Sequence, residues 1–448
     1  MIWEGVKKFQ GKPFQVIGVN GPDLMFPGRY AKMVGGDKRF SFDEFIEKDF
    51  FPSYPGFEGP KASIVHANIM VTTIRTKLTQ SLGHVTGDLC DETEKALHDV
   101  FGENPDWQEC AFNKLSAPLV ARLSTRVFLG PILAANQRWL EIAVSYTINM
   151  MITSRLLRQI PHALRPFVYR FVPGWRALRK DAIDGRKIIS AEIERRRSIW
   201  EENKKLGIST AKTADSLGWF QEVAGEQQFD QAGCQLSLTF AAIHTTGQML
   251  SKALFRLAEN VEWQKEVREE MVRVLRTDGW QKTSLYKMKL LDSFLKEVHR
   301  FDPGSTTSMH RVTKESVALP DGTVVPKGAQ IKVLQDLHMD PVVYSNPEVF
   351  DPARYLKMRS QPGQENNWQW ITVTEHSLGF GYGKHACPGR FFASNEVKIA
   401  LCWMLIKYDW ELAEPLKPKW WLGSEMIPDA AAKLRYRRRE EEIDLSTL

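Results

Sequence analysis

The sequence predicts a mainly α protein with a small β portion, folded as a single domain over residues 1–448. Three observations predict it. Between residues 64 and 275 apolar positions recur mostly at helical spacing. Residues 229–257 form a long stretch almost free of charge in its middle, as expected of a helix buried on all sides. After Arg300 the texture changes to short β-type runs around the turns Pro320-Asp321-Gly322 and Pro326-Lys327-Gly328.

The elements follow in order. Residues 13–19 read as a strand, with turns at Gly21-Pro22 and Pro27-Gly28. Residues 111–128, 137–157 and 175–202 carry helical patterning. The last of these contains Glu192-Ile193-Glu194-Arg195-Arg196-Arg197, which reads as a solvated helix face. Short strands are expected at 317–319, 323–325 and 330–333, then a coil rich in Pro and Asn up to Phe380. A helix returns at 390–406, followed by further short strands. There is no internal repeat and no low-complexity linker.

Composition narrows the classes. Hydrophobic residues make up 43% and charged residues 25%, as in ordinary globular proteins. The five cysteines (Cys90, Cys110, Cys234, Cys387, Cys402) are odd in number and lack CxxC spacing. They argue against a disulfide framework or a zinc site and for a reducing compartment. A net charge of +6 is mild for this length. It does not indicate nucleic-acid binding, and it suits an acidic redox partner or an anionic membrane surface. No run of about eighteen apolar residues is present to span a bilayer. The N-terminus, Met1-Ile2-Trp3-Glu4-Gly5-Val6-Lys7-Lys8, is too charged for a signal peptide and reads as a surface helix turn. A segment upstream of it is expected to be missing.

The densest chemistry lies in Phe380-Gly381-Tyr382-Gly383-Lys384-His385-Ala386-Cys387-Pro388-Gly389. One cysteine ends a glycine-punctuated loop and begins an apolar helix. With Pro388 at the first helical position, the N–H groups of Gly389 and Arg390 would face the sulfur and stabilise a thiolate. Gly381, Gly383 and Gly389 would let the backbone pass close to a flat ligand. A lone buried cysteine is more often structural, but ten ordered positions favour a thiolate ligand to haem iron.

Glu297-Val298-His299-Arg300 places two opposite charges at i, i+3, and Arg354 is a candidate for a third member. Such pairs are common and weak on surfaces; burial requires further hydrogen bonds. The central stretch carries Ala241-Ala242-Ile243-His244-Thr245-Thr246. Thr245 either bonds back to the Ala241 carbonyl, as mid-helix threonines do, or turns its hydroxyl to dioxygen or water and helps pass protons. Thr246 is its partner in the pair, and His244 reads equally as a proton relay or a packed core histidine. Arg311, after His310, could clamp a haem propionate, and Arg75 is a weaker candidate for the other; each also reads as a surface arginine.

These motifs, in this order and over nearly the whole chain, resemble the cytochrome P-450 family of haem-thiolate monooxygenases. The cysteine loop matches the family's, with His385 where an arginine is more usual. Glu297, Arg300 and Arg354 match its buried triad, and Arg311 a propionate ligand. Ala241 to Thr246 matches the oxygen-binding segment, but Ala242 replaces a glycine and His244 an acid assigned to proton delivery. Where the family has Trp-x-x-x-Arg, Val71 and Arg75 stand here.

The resemblance implies the cytochrome P-450 fold, a long central helix over haem b with the cysteine loop beneath. It implies O2 as co-substrate and electrons from NADPH through NADPH-cytochrome P-450 reductase. The activity implied is insertion of one oxygen atom into an apolar small molecule, by hydroxylation, epoxidation or several successive oxidations. Lys384, Arg390 and Lys398 are candidates to face the reductase, each also reading as solvated surface. Pocket linings are expected at Ala241, Ala242, the turn Gly304-Ser305-Thr306-Thr307 and the turn Met426-Ile427-Pro428.

Residues 242–246, 381–393 and 123–131 are similar to filamentous-fungal members that oxidise diterpenes and indole-diterpenes in secondary metabolism. A monomer on the cytosolic face of the endoplasmic reticulum membrane is implied, without the N-terminal membrane helix of microsomal members. Two alternatives remain: a haem-thiolate enzyme of redox-neutral rearrangement or dehydration, motivated by His244, and a non-enzymatic haem sensor.

Overall fold

The computed structural model describes residues 2–208 and 214–448; Met1, the start of the charged N-terminal stretch, lies outside them. The predicted helices form as Phe112–Phe128, Gln137–Arg158, Trp175–Lys205, Gln231–Ala258 and Arg390–Lys407. Side-chain caps fix several starts: Asp230 accepts from the Gly233 N–H at 3.0 Å and Asn136 from the Trp139 N–H at 2.9 Å.

The helix Gln231–Ala258 runs through the middle. It packs on Glu58–Val65, Phe112–Phe128, Gln137–Arg158, Trp175–Lys205 and Arg390–Lys407. A Cβ at Gly247 would sit 3.2 Å from the Ala117 nitrogen, so glycine sets the close approach of this helix to Phe112–Phe128. Leu250, Leu254 and Leu257 are fully buried in the main core with Phe294 and Trp403. Each such leucine contributes about 1.5–3 kcal/mol relative to exposure.

The largest sheet has five strands, in spatial order Phe14–Gly18, Gly21–Phe26, Gln330–Leu334, Thr307–Thr313 and Phe40–Ser41. The second and third pair in parallel, Asp23 opposite Gln330, which ties the N-terminal part to the C-terminal part. Two expectations change here. Gly21-Pro22 is not the turn: Gly21 pairs with Gly18 and opens the next strand, its φ of +104° completing the reversal at Val19-Asn20. His310-Arg311, read from the sequence as lying at the edge of the sheet region, sits on an inner strand, Thr307–Thr313, whose polar composition hid it. A bulge between Ser308 and Arg311 interrupts its pairing, with Met309 at φ +50°.

The run 192–197 is only partly a solvated face. Glu192 is buried, and Arg195 and Arg196 both donate to it, at 2.8 and 2.6 Å. Among the described residues no helix is long and apolar enough to cross a membrane.

Candidate functional site

The cysteine loop is closed by its own backbone. The Cys387 N–H donates to the Phe380 carbonyl and the Gly381 N–H to that of Leu378, each at 2.8 Å. Burial pushes the Cys387 thiol pKa up, while the N–H groups of Gly389 and Arg390 and the Arg390 charge act on the sulfur in the opposite sense. Helix Arg390–Lys407 starts after the N-cap Gly389, so Pro388 precedes the cap rather than occupying the first helical position. Gly381 and Gly383 adopt φ +71° and +72°, whereas Gly389, at φ −88°, has an ordinary backbone. A Cβ on Gly383 would lie 2.6 Å from the Gly35 carbonyl oxygen. That glycine therefore serves the packing of the loop on helix Ala31–Gly36.

Glu297, Arg300 and Arg354 come together in the interior. Arg300 holds Glu297 bidentately at 2.8 and 2.7 Å, and Arg354 Nε donates to Glu297 Oε1 at 3.0 Å. Both guanidiniums also donate to carbonyls of the chain 338–349: Arg300 to His338 and Pro347, Arg354 to Ser345 and Val349. These bonds offset the desolvation of a buried charge cluster. Between the pair, His299 packs edge-on against Phe380, with ring centroids 5.1 Å apart, and its Nδ1 accepts from Trp370 Nε1–H at 3.1 Å.

On the central helix, Ala241, Thr245 and Gln248 are exposed although the flanking positions Ile243, Thr246 and Gly247 are buried. One face of this otherwise buried helix is thus left open, and that open face is where a chamber beside Thr245 would lie. The Thr245 hydroxyl donates to the Ala241 carbonyl at 2.8 Å. Of the two readings of Thr245, this geometry is the back-bonded one. His244 turns the other way, with Nε2 3.2 Å from the Val144 carbonyl, and burial pushes its pKa down. It is a neutral, packed histidine. Thr246 is buried, and Ala242 packs against the main core rather than lining the chamber.

Arg311 and His385 meet over one ring: the Arg311 guanidinium carbon is 5.4 Å and the His385 centroid 5.5 Å from that of Phe42. Arg311 is buried, and burial pushes its pKa down to about 10. Its Nη1 donates to the His310 carbonyl at 2.7 Å, while its Nε has no partner among the described residues. A buried, underpaired guanidinium fits an anionic group of a ligand. Arg75 instead donates to the Lys384 carbonyl at 2.7 Å and steadies the loop. The donor set as a whole fits haem: a sulfur met by two N–H groups, the free Arg311 Nε, and an exposed face on an otherwise buried helix.

The turn Gly304–Thr307 does meet the strand Glu425–Ile427: Ser305 pairs with Glu425, and the Met426 N–H donates to the Gly304 carbonyl at 3.0 Å. Ser305 and Ile427 are half-buried there. Thr306 is buried, and its backbone N–H donates to the Ser424 carbonyl at 2.7 Å. Lys398 cannot face a partner, because it is buried with Nζ 2.7 Å from Asp292. Arg390 is half-buried and spends its donors on the carbonyls of Cys387 and Ile371; Lys384 is exposed.

Sequence reasoning missed Gln248 and Lys252, at i+3 and i+7 from Thr245. Polar residues at that spacing in an apolar helix are the signal. Burial pushes the Lys252 pKa down to about 8.

A family profile described as Cytochrome P-450 matches residues 59–428. The chain is 39% identical to cytochrome P-450 monooxygenase hepE of Aspergillus oryzae, over 98% of this chain and 81% of that protein. It is 36% identical to cytochrome P-450 monooxygenase pyr3 of Aspergillus fumigatus, over 96% and 83%. A cytochrome P-450 monooxygenase of Gibberella fujikuroi is 38% identical, over 96% of this chain and 99% of that one. Among solved structures, retinoic-acid-bound cyanobacterial CYP120A1 shares the fold with a TM-score of 0.70 at 16% identity, over 97% of this chain and 94% of that one.

Proposed function

The chain belongs to the cytochrome P-450 family and is a monooxygenase, and from that premise we propose that Cys387 is the thiolate ligand of a haem b. We propose further that its substrate is a terpenoid or related fungal secondary metabolite. Bound there, haem iron supplies the activation of O2, with electrons from NADPH through a flavoprotein reductase. The residues of this chain do the rest. The Gly389 and Arg390 N–H groups hold the sulfur as thiolate. Arg311 and His385 take the propionates, with Arg75 bracing the loop from its other side through Lys384. The Glu297–Arg300–Arg354 cluster fixes the segments on which that loop rests.

On the chamber side, the Thr245 hydrogen is committed to Ala241, which leaves the hydroxyl oxygen free to accept from a water. Gln248, one turn on, continues this polar strip. His244 is tied to Val144, and this reading gives it no part in passing protons. Association with the cytosolic face of the endoplasmic reticulum membrane is supported by an exposed apolar patch around Phe167 and Phe171, which are 75% and 79% exposed.

The observation that carries the proposal is the Cys387 loop with its two sulfur-facing N–H groups. The test is the spectrum of the reduced carbon monoxide adduct, with turnover under NADPH, reductase and O2. Cys387→Ala is expected to remove the thiolate-type band and all oxygenation. Survival of that band in the variant would falsify the ligand assignment.

A further inference from the structure

A cavity of about 780 Å³ opens at the N-terminal end of the central helix, between Glu58–Val65 and Trp175–Lys205. Asp230, the helix cap, stands in its wall. Thr245 lies fifteen residues further on, about 22 Å along the axis. This cavity is therefore separate from the chamber beside Thr245.

Its charges do not balance. Arg179 pairs with Glu58 and Arg186 with Asp230, each at 2.6 Å, so these four cancel. Lys61 and Lys187 also line the cavity, are exposed, and have no acidic partner among the described residues. Two positive charges are left facing the opening. Beside them Val65 and Ile183 present exposed apolar surface. The wall also holds a buried donor without a partner, His66 Nδ1, since the other ring nitrogen of His66 accepts from the Asp230 N–H at 3.1 Å; the unpaired Glu58 Oε2, an acceptor, disfavours an anion at its own end of the wall. Buried donors are normally satisfied, so the His66 Nδ1–H on this wall fits a guest with an acceptor group near the lysines. Cations beside apolar surface in a concavity of this size fit a small molecule with one anionic end.

We propose that this cavity docks an amphipathic carboxylic acid, with Lys61 and Lys187 on the carboxylate and Val65 and Ile183 under the apolar skeleton. The proposal rests on the preceding reading only for the apolar skeleton, and it adds that the compound is an acid. The site captures the compound at the surface, ahead of the reaction chamber.

The test is calorimetric titration of the haem-loaded protein with abietic acid and with abietinol, the same skeleton ending in an alcohol. Saturating clotrimazole fills the reaction chamber, so the titration reads the outer cavity. The acid is expected to bind about ten-fold more tightly than the alcohol at low salt. The preference should shrink as ionic strength rises. The double variant Lys61→Glu, Lys187→Glu should abolish the preference and leave the alcohol's affinity and the thermal midpoint unchanged. Equal affinities, no acid binding, or a preference that survives charge reversal overturns the site. The difference spectrum of clotrimazole reports separately on the iron site, so failure of the haem reading is told apart from failure of the docking site.

Discussion

Glu396 lies nine residues after Cys387 on helix Arg390–Lys407, fully buried. The Ser124 hydroxyl donates to one carboxylate oxygen at 2.7 Å, and the other has no partner among the described residues. Burial pushes its pKa up to about 8. The folded state therefore keeps a proton that the unfolded chain releases from about pH 4.5 upward, and stability falls as pH rises from there to about 8. Glu396→Gln keeps the shape and removes the titration. Its unfolding free energy should match the parent's near pH 5 and exceed it by about 3–5 kcal/mol above pH 8. Denaturant titrations at the two pH values check this, and parallel losses in parent and variant would refute it. The buried histidines give the opposite slope. Burial holds His299, His310 and His338 down at about 3. Their contribution is present above the ordinary histidine pKa and is lost as pH falls from about 6.5 toward 3.

At the scale of elements, the triad joins helix Lys289–Phe301 to the segment that ends in helix Arg354–Arg359. Glu297→Ala would leave two buried guanidiniums without their counter-charge. A loss of about 3–5 kcal/mol is expected, read as reduced yield of folded, haem-loaded protein and an earlier denaturant midpoint. A midpoint within about 0.5 kcal/mol of the parent would refute the role. The spacing of Glu297 and Arg300 was legible in the sequence because i, i+3 is a local relation. The long helices were legible for the same reason, their period being written into the side chains. Arg354, 57 residues from Glu297, was a bare candidate until the family resemblance joined it to the pair. The bulge at Met309, the inner position of Thr307–Thr313 and the burial of Lys398 against Asp292 were not legible. Each is decided by a partner far away in the chain, which leaves no periodic trace.

At the scale of the molecule, the exposed patch gathers several elements. Ile148, Met151 and Ile152 lie on helix Gln137–Arg158, and Leu164, Phe167 and Phe171 follow it in sequence. The hairpin residues Ile17 and Val19 join them, because Arg165 Nη2 donates to Asn20 Oδ1 at 3.0 Å at the tip. Such a face, with Arg170 exposed beside it, suits a bilayer interface. Phe167→Glu with Phe171→Glu should reduce co-sedimentation with phosphatidylcholine–phosphatidylserine vesicles about ten-fold, with the carbon monoxide spectrum unchanged. Undiminished binding would assign the patch elsewhere.

The contact of Gly383 with Gly35 has another consequence, for synthesis. The cysteine loop takes its place only when helix Ala31–Gly36 is there to receive it. That helix hangs from strands whose partners include Gln330–Leu334. At roughly 5–20 residues per second, the first fifty residues leave the ribosome about 15–60 s before the loop does. For most of that interval Gly21–Phe26 has its hairpin partner Phe14–Gly18 but not Gln330–Leu334 on its other edge. That open edge is exposed for as long as synthesis of Gln330–Leu334 takes, and slowing translation late in the message lengthens the exposure.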